Sequence, residues 1–104
     1  MNELINIETK NTLTSLEVAE ITGKDHKNIL ADIRDEISKL GEERGRLIFQ
    51  QSYYTNLQNK QQPMFLLNYK GVLQLGARYN AETRFKLIEK IEQLQKPMTV
   101  EDMI

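Results

Sequence analysis

Apolar and polar positions follow two different periods along this chain, and the changes of period mark its elements. Ile29, Leu30, Ile33, Ile37 and Leu40 recur at three- and four-residue steps, forming one stripe along a helix. Asp25 stands where a cap belongs, and Gly41 where such a helix stops. A shorter helix over 15–22 precedes it. Thr14-Ser15-Leu16-Glu17 is a capping-box start: Thr14 accepts from the Glu17 amide and the Glu17 carboxylate reaches back. Leu16 and Ala19 are its inward positions, with Val18 and Ile21 as further candidates, and Gly23 ends it. Residues 41–46, Gly-Glu-Glu-Arg-Gly-Arg, read as a charged, flexible loop.

Beyond the loop the pattern turns strand-like. Residues 47–54 carry Leu47, Ile48, Phe49, Tyr53 and Tyr54, and residues 64–67 are Met-Phe-Leu-Leu. The intervening Thr55 to Pro63 is polar, so the two runs predict a long hairpin, with Pro63 at an edge position or a strand start. Asn68 caps a helix through about residue 78, carrying Val72, Leu73, Leu75 and Ala77. Asn80 caps a last helix lined by Phe85, Leu87, Ile88, Ile91 and Leu94, which Lys96-Pro97 ends. Residues 3–8 predict a short strand, and 97–104 a flexible tail, leaving one domain over 1–96.

The order of elements is short helix, glycine turn, longer helix, hairpin, two helices. A small residue at Ala19 and a glycine four positions on, at Gly23, suit the close packing and left-handed turn of a helix-turn-helix. Ile29 and Ile33 then face inward, while one further position expected to be apolar falls on Asp32. The expected fold class is α+β: a winged-helix-like helix-turn-helix domain with a β-hairpin wing and C-terminal helices.

Composition narrows the function. In 104 residues there is no Cys, hence no disulfide, no thiolate zinc site and no cysteine nucleophile. The apolar runs fall far short of the roughly 20 residues that span a bilayer. Met1 to Lys10 has neither the basic start nor the apolar middle of a secretion signal, so none is expected. With one His, no glycine-rich phosphate loop and no metal-ligand cluster, the chain is expected to be neither an enzyme nor a cofactor or metal binder. Glu42-Glu43 beside Arg44 and Arg46 reads as a solvated charge run.

Fourteen bases against fifteen acids look unfavourable for nucleic acid, yet the charge is unevenly spread. Glu3, Glu8, Glu17 and Glu20 face only Lys10 in residues 1–23. Residues 24–46 balance. Residues 47–90 carry Lys60, Lys70, Arg78, Arg84, Lys86 and Lys90 against Glu82 and Glu89, and the final stretch is again acidic. A second helix of this kind presents its N-terminal residues to base edges. Here these are Lys24, His26, Lys27 and Asn28, with Arg34 further along. Asn suits adenine, and Lys suits guanine or phosphate. Ser15 at the start of the first helix is a candidate phosphate donor. The hairpin tip adds Asn56, Asn59 and Lys60, among other polar groups. Each residue alone has a plainer reading, as a cap, a solvated lysine or an ordinary exposed tip. It is their coincidence on one expected surface that points to double-stranded DNA.

The ordered set Thr14-Ser15-Leu16-Glu17-Val18-Ala19-Glu20-Ile21-Thr22-Gly23-Lys24, His26-Lys27-Asn28-Ile29-Leu30 and Asp32-Ile33-Arg34 resembles the phage regulatory protein Rha family. The resemblance resumes at Ser52-Tyr53-Tyr54-Thr55-Asn56, Gln58-Asn59-Lys60, Gln62-Pro63, Phe65-Leu66-Leu67, Gly71 and Ala77-Arg78-Tyr79-Asn80, and ends near Arg84-Phe85-Lys86. It covers about residues 12–95. It implies a bacteriophage or prophage transcriptional regulator with a DNA-binding domain, acting in the bacterial host cytoplasm. Members often carry a further C-terminal domain of antirepressor type, for which the expectation here is absence. Asp25 departs from the base or polar group expected at its position. A homodimer is expected, since one small module covers little DNA. The alternative is a protein-interaction module that acts on a repressor or other regulator without touching DNA; a folded but idle prophage remnant is a third.

Overall fold

The computed structural model describes residues 11–95, and among these a three-stranded antiparallel sheet is combined with five helices. The order is β1 (Leu13–Thr14), α1 (Ser15–Thr22), α2 (His26–Leu40), α3 (Glu42–Ile48), β2 (Phe49–Thr55), β3 (Gln61–Leu67), α4 (Tyr69–Gly76) and α5 (Ala81–Gln95). The class is α+β, compatible with a winged-helix-like fold. The strand expected over 3–8 and the tail expected over 97–104 lie outside the described residues.

Local chemistry sets the helix-turn-helix. Thr14 accepts from the Glu17 N–H at 3.0 Å while the Thr14 N–H donates to the Glu17 carboxylate at 2.8 Å, the reciprocal capping box. Gly23 closes α1 in the left-handed region (φ 73°), donating its N–H to the Ala19 carbonyl. Asp25 occupies the N-cap position of α2, but its side chain makes no capping hydrogen bond. Val18, Ile29, Ile33 and Ile37 then meet Leu13, Phe49, Phe65, Leu67, Val72, Leu75, Leu87 and Ile91 in one core. Ala19 and Ile21 pack at its edge.

The strands lie in the order β1-β3-β2, with Leu13 opposite Leu67, Phe49 opposite Leu67 and Tyr53 opposite Pro63. Phe49, Phe65 and Leu67 at the base are buried, whereas residues 57–61 are exposed, so the hairpin extends outward from the core. Pro63 sits beyond the reach of the two-residue β1. The Phe65 N–H points away from β2, to Ser15. By the two-residue period of a strand, position 63 faces the same way, so its missing N–H removes no bond to β2.

Several expectations are corrected. Residues 42–48 are helical rather than a loop. Glu42 and Glu43 sit favourably in the first turn of α3, Arg46 in its last, and Arg46 Nε pairs with Glu42 four residues back at 2.9 Å. Gly45 is buried against Ile37, where a Cβ would stand 2.9 Å from the Ile37 Cα; the glycine permits this approach to α2. Leu47 and Ile48 therefore belong to a helix. β3 begins at Gln61, which shortens the tip to residues 56–60. Helix α4 stops at Gly76, with Arg78 and Tyr79 N–H groups bonding back to Leu75 and Gly76 in tighter turns. Phe85, expected among the inward residues of α5, is 59% exposed.

Candidate nucleic-acid interface

The head of α2 is fastened to the hairpin from beneath. Ser15 is the first residue of α1 and fully buried. Its hydroxyl lies 2.8 Å from His26 Nε2 and accepts the Phe65 N–H at 3.0 Å. The expected phosphate-facing role of Ser15 is therefore corrected: capping by Thr14 turns the next side chain under the helix, where it braces three elements. The half-buried His26 ring meets Tyr54 edge-on, with centroids 5.9 Å apart. Burial, and then the nearby charge of Arg34, push this imidazole below its ordinary pKa.

With His26 turned inward, Lys27 and Asn28 are what the first turn of α2 presents. Both are exposed, and their side chains make no hydrogen bond or ion pair among the described residues. Lys24 is exposed too, but its ammonium stands 5.0 Å over the Tyr79 ring. The Arg34 guanidinium lies 5.9 Å over Phe65 of β3, so it flanks the hairpin. Both cations keep their charge at the surface while their positions are held.

At the hairpin tip the Asn56 side-chain oxygen accepts from the Gln58 N–H at 3.0 Å and the Lys60 N–H at 2.9 Å. Asn56 thus builds the turn, and its oxygen is already engaged. Asn59 adopts φ 62°, a left-handed conformation that asparagine tolerates. The side chains of Asn59 and Lys60 project to solvent. The Tyr54 contact joins the far end of β2 to the head of α2; Lys27 and Asn28 stand on that head, and Asn59 and Lys60 on the tip that follows β2.

Two features take their meaning from contacts and exposure that the sequence pattern does not show. Asp32, the polar residue in an apolar position, accepts from the Tyr79 hydroxyl at 2.7 Å and pairs with Arg78 at 3.3 Å. Arg78 also reaches Asp35 at 3.1 Å and Glu36 at 2.8 Å, and Gln74 donates to Glu36. These contacts clamp α2 onto α4 and the turn that follows it. Burial and then the Asp32 hydrogen bond raise the Tyr79 phenol well above its ordinary pKa, keeping it a donor. The second feature is Leu57, fully exposed at the tip. Its signal was present as the single aliphatic residue between Thr55 and Gln62.

A concavity of about 1030 Å³ between α2, α3 and α4, lined by Leu40, Arg44, Leu47, Ile48, Tyr69 and Leu73 among others, shares no residue with this surface. Among the described residues, no group of three or more acidic, His or Cys side chains is placed to hold a metal, and no helix is long and apolar enough to cross a membrane. No curated protein and no solved structure matches the chain. The model of one family, phage regulatory protein Rha, matches residues 13–96, most of the chain. The chain therefore belongs to the phage regulatory protein Rha family, a regulatory rather than an enzyme family.

Proposed function

We propose that this protein regulates transcription by binding double-stranded DNA, with the head of α2 in the major groove and the hairpin as a wing against the flanking backbone. The observation that carries the reading is the His26–Tyr54 contact. It ties the head of α2, which carries Lys27 and Asn28, to the strand that leads to Asn59 and Lys60, and in this reading the helix end and the hairpin address one duplex together. Asn28 supplies the paired donor and acceptor that suit adenine, and Lys27 a cation for guanine or phosphate. Lys24 and Arg34 add held charge at the margins. Asp25 opposes phosphate locally, which keeps affinity modest. The functional unit in this reading is a homodimer in the host cytoplasm, because one such module covers roughly 600–1,000 Å² of surface. Its contact face is α5, where Phe85 is exposed.

Selection from random duplex DNA, followed by gel shift on the enriched sequence, tests the reading. An enriched sequence whose binding is lost with Lys27→Ala and Asn28→Ala supports it. No enrichment at low salt overturns it.

A further inference from the structure

Leu57 is fully exposed at the far end of the hairpin. Its surroundings are fixed: the Asn56 N–H donates to the Lys60 carbonyl and the Asn59 N–H to the Asn56 carbonyl, each at 2.9 Å. Together with the two bonds accepted by the Asn56 side chain, they close a five-residue turn. From Thr55 to Gln62 there is no acid, one cation at Lys60, and otherwise amide or hydroxyl side chains around the leucine. A single exposed leucine is ordinary on a protein surface. A leucine at the apex of a braced turn, ringed by amides and free of acids, is a probe of one side chain's width.

We propose that Leu57 enters the DNA minor groove and wedges between neighbouring base pairs, while Gln58, Asn59 and Lys60 meet the groove edges and backbone. The inference rests on the DNA-binding reading and names how the wing engages the same duplex. The minor groove, about 6 Å wide, admits a side chain but not a helix. Its floor offers acceptors at A·T pairs, which amide N–H groups satisfy, and apolar wedges there unstack a base step and kink the helix. The tip bears one cation and no acid, so it approaches the phosphates on either side without repulsion.

The test uses the full chain and the duplex that it enriches. 2-Aminopurine, which brightens on unstacking, is placed in turn at each step flanking the α2 contact. Wild type brightens one step and Leu57→Ala does not. Leu57→Ala also binds about tenfold more weakly, as expected for a lost wedge contact. The same sequence is still enriched at the α2 contact, and the salt dependence is unchanged because leucine carries no charge. Lys60→Ala is the contrast: it lowers the salt slope by about 0.9 per bound copy, about 1.8 for two copies on one site, and keeps the brightening. Since Leu57 is wholly exposed, its alanine variant should unfold at the wild-type urea midpoint. If wild type binds and Leu57→Ala matches it in affinity and fluorescence, the wedge is overturned while the DNA-binding reading stands. If wild type enriches no duplex, both are overturned.

Discussion

The Ser15 hydroxyl lies 2.8 Å from His26 Nε2 and at the same time accepts the Phe65 N–H at 3.0 Å. One buried oxygen thus ties the start of α1, the head of α2 and the middle of β3. Ser15→Ala removes the partner of the buried Phe65 N–H and the imidazole's bond to the hydroxyl. The expected cost is about 1–3 kcal/mol, since a buried unsatisfied donor loses its full desolvation compensation. A lower urea midpoint at unchanged slope is the readout. An unchanged midpoint would mean that a water replaces the hydroxyl.

The same histidine makes stability depend on pH. Burial and Arg34 place the folded imidazole below its ordinary value of 6.5, so the unfolded chain binds a proton that the folded chain resists. Stability tied to neutral His26 is fully present above about pH 6.5, declines as the pH drops below that, and is gone below the folded value. His26 is the single histidine of the chain, so the effect is assignable. Denaturant midpoints between pH 8 and pH 5 should fall for wild type and fall less for His26→Gln, which does not titrate.

How far the sequence reached follows from what sets each element. The capping box at Thr14, the Gly23 turn and the α2 stripe depend on near neighbours, and all three stand where the pattern put them. Residues 42–48 misled because their helix is stabilised by the Glu42–Arg46 pair and by Gly45 against Ile37, the second a tertiary contact. Ser15 and His26 looked like surface groups because nothing local shows that β3 passes beneath them. Asp32 is an irregularity in the apolar pattern, and its meaning lies 46 and 47 residues away, in Arg78 and Tyr79.

Arg78 serves three carboxylates, of which Glu36 is the most buried, with its side chain 11% exposed. Arg78→Ala leaves Asp32, Asp35 and Glu36 facing one another on α2. The expected loss at neutral pH is about 1–3 kcal/mol, below that of a fully buried pair because the site is partly open to water. Acid alters the comparison. Hydrogen bonds from Lys39 and then Arg78 hold Asp35 below the usual carboxylate range, so its contribution is present above that range and lost as the pH falls through the depressed value. The variant lacks part of that depression, so the gap between it and wild type should narrow on acidification. A constant gap from pH 7 to pH 3 would show that Arg78 acts through packing alone.

Two helical glycines should respond to alanine in opposite directions. At Gly71 a Cβ would collide with the Ile48 carbonyl oxygen, which is backbone and cannot swing aside. Gly71→Ala should destabilise by about 1–3 kcal/mol through overpacking where α4 meets the end of α3. At Gly76 the nearest atom to a Cβ is the Arg84 Cγ at 3.4 Å, at the edge of ordinary contact and on a flexible side chain. Gly76→Ala should be neutral or stabilise by up to about 1 kcal/mol, because alanine lowers the entropy of the unfolded chain. Thermal melts of the pair check both signs.

Binding to DNA should depend on salt, but mildly. The proposed interface includes Lys24, Lys27, Arg34 and Lys60, and two of these are engaged at home, Lys24 over Tyr79 and Arg34 over Phe65. Lys27 and Lys60 remain to displace counterions in each copy. At about 0.9 per neutralised phosphate they contribute a slope near −1.8 per copy, and about −3.6 for two copies on one site. A slope between about −2 and −5 is therefore expected in a plot of log affinity against log salt. Lys27→Ala should flatten it, Asn28→Ala should weaken binding without changing it, and Asp25→Asn should strengthen binding by removing the acid beside Lys24. A flat response would show that the phosphates are not engaged, and would shift the interpretation of this surface toward a protein partner.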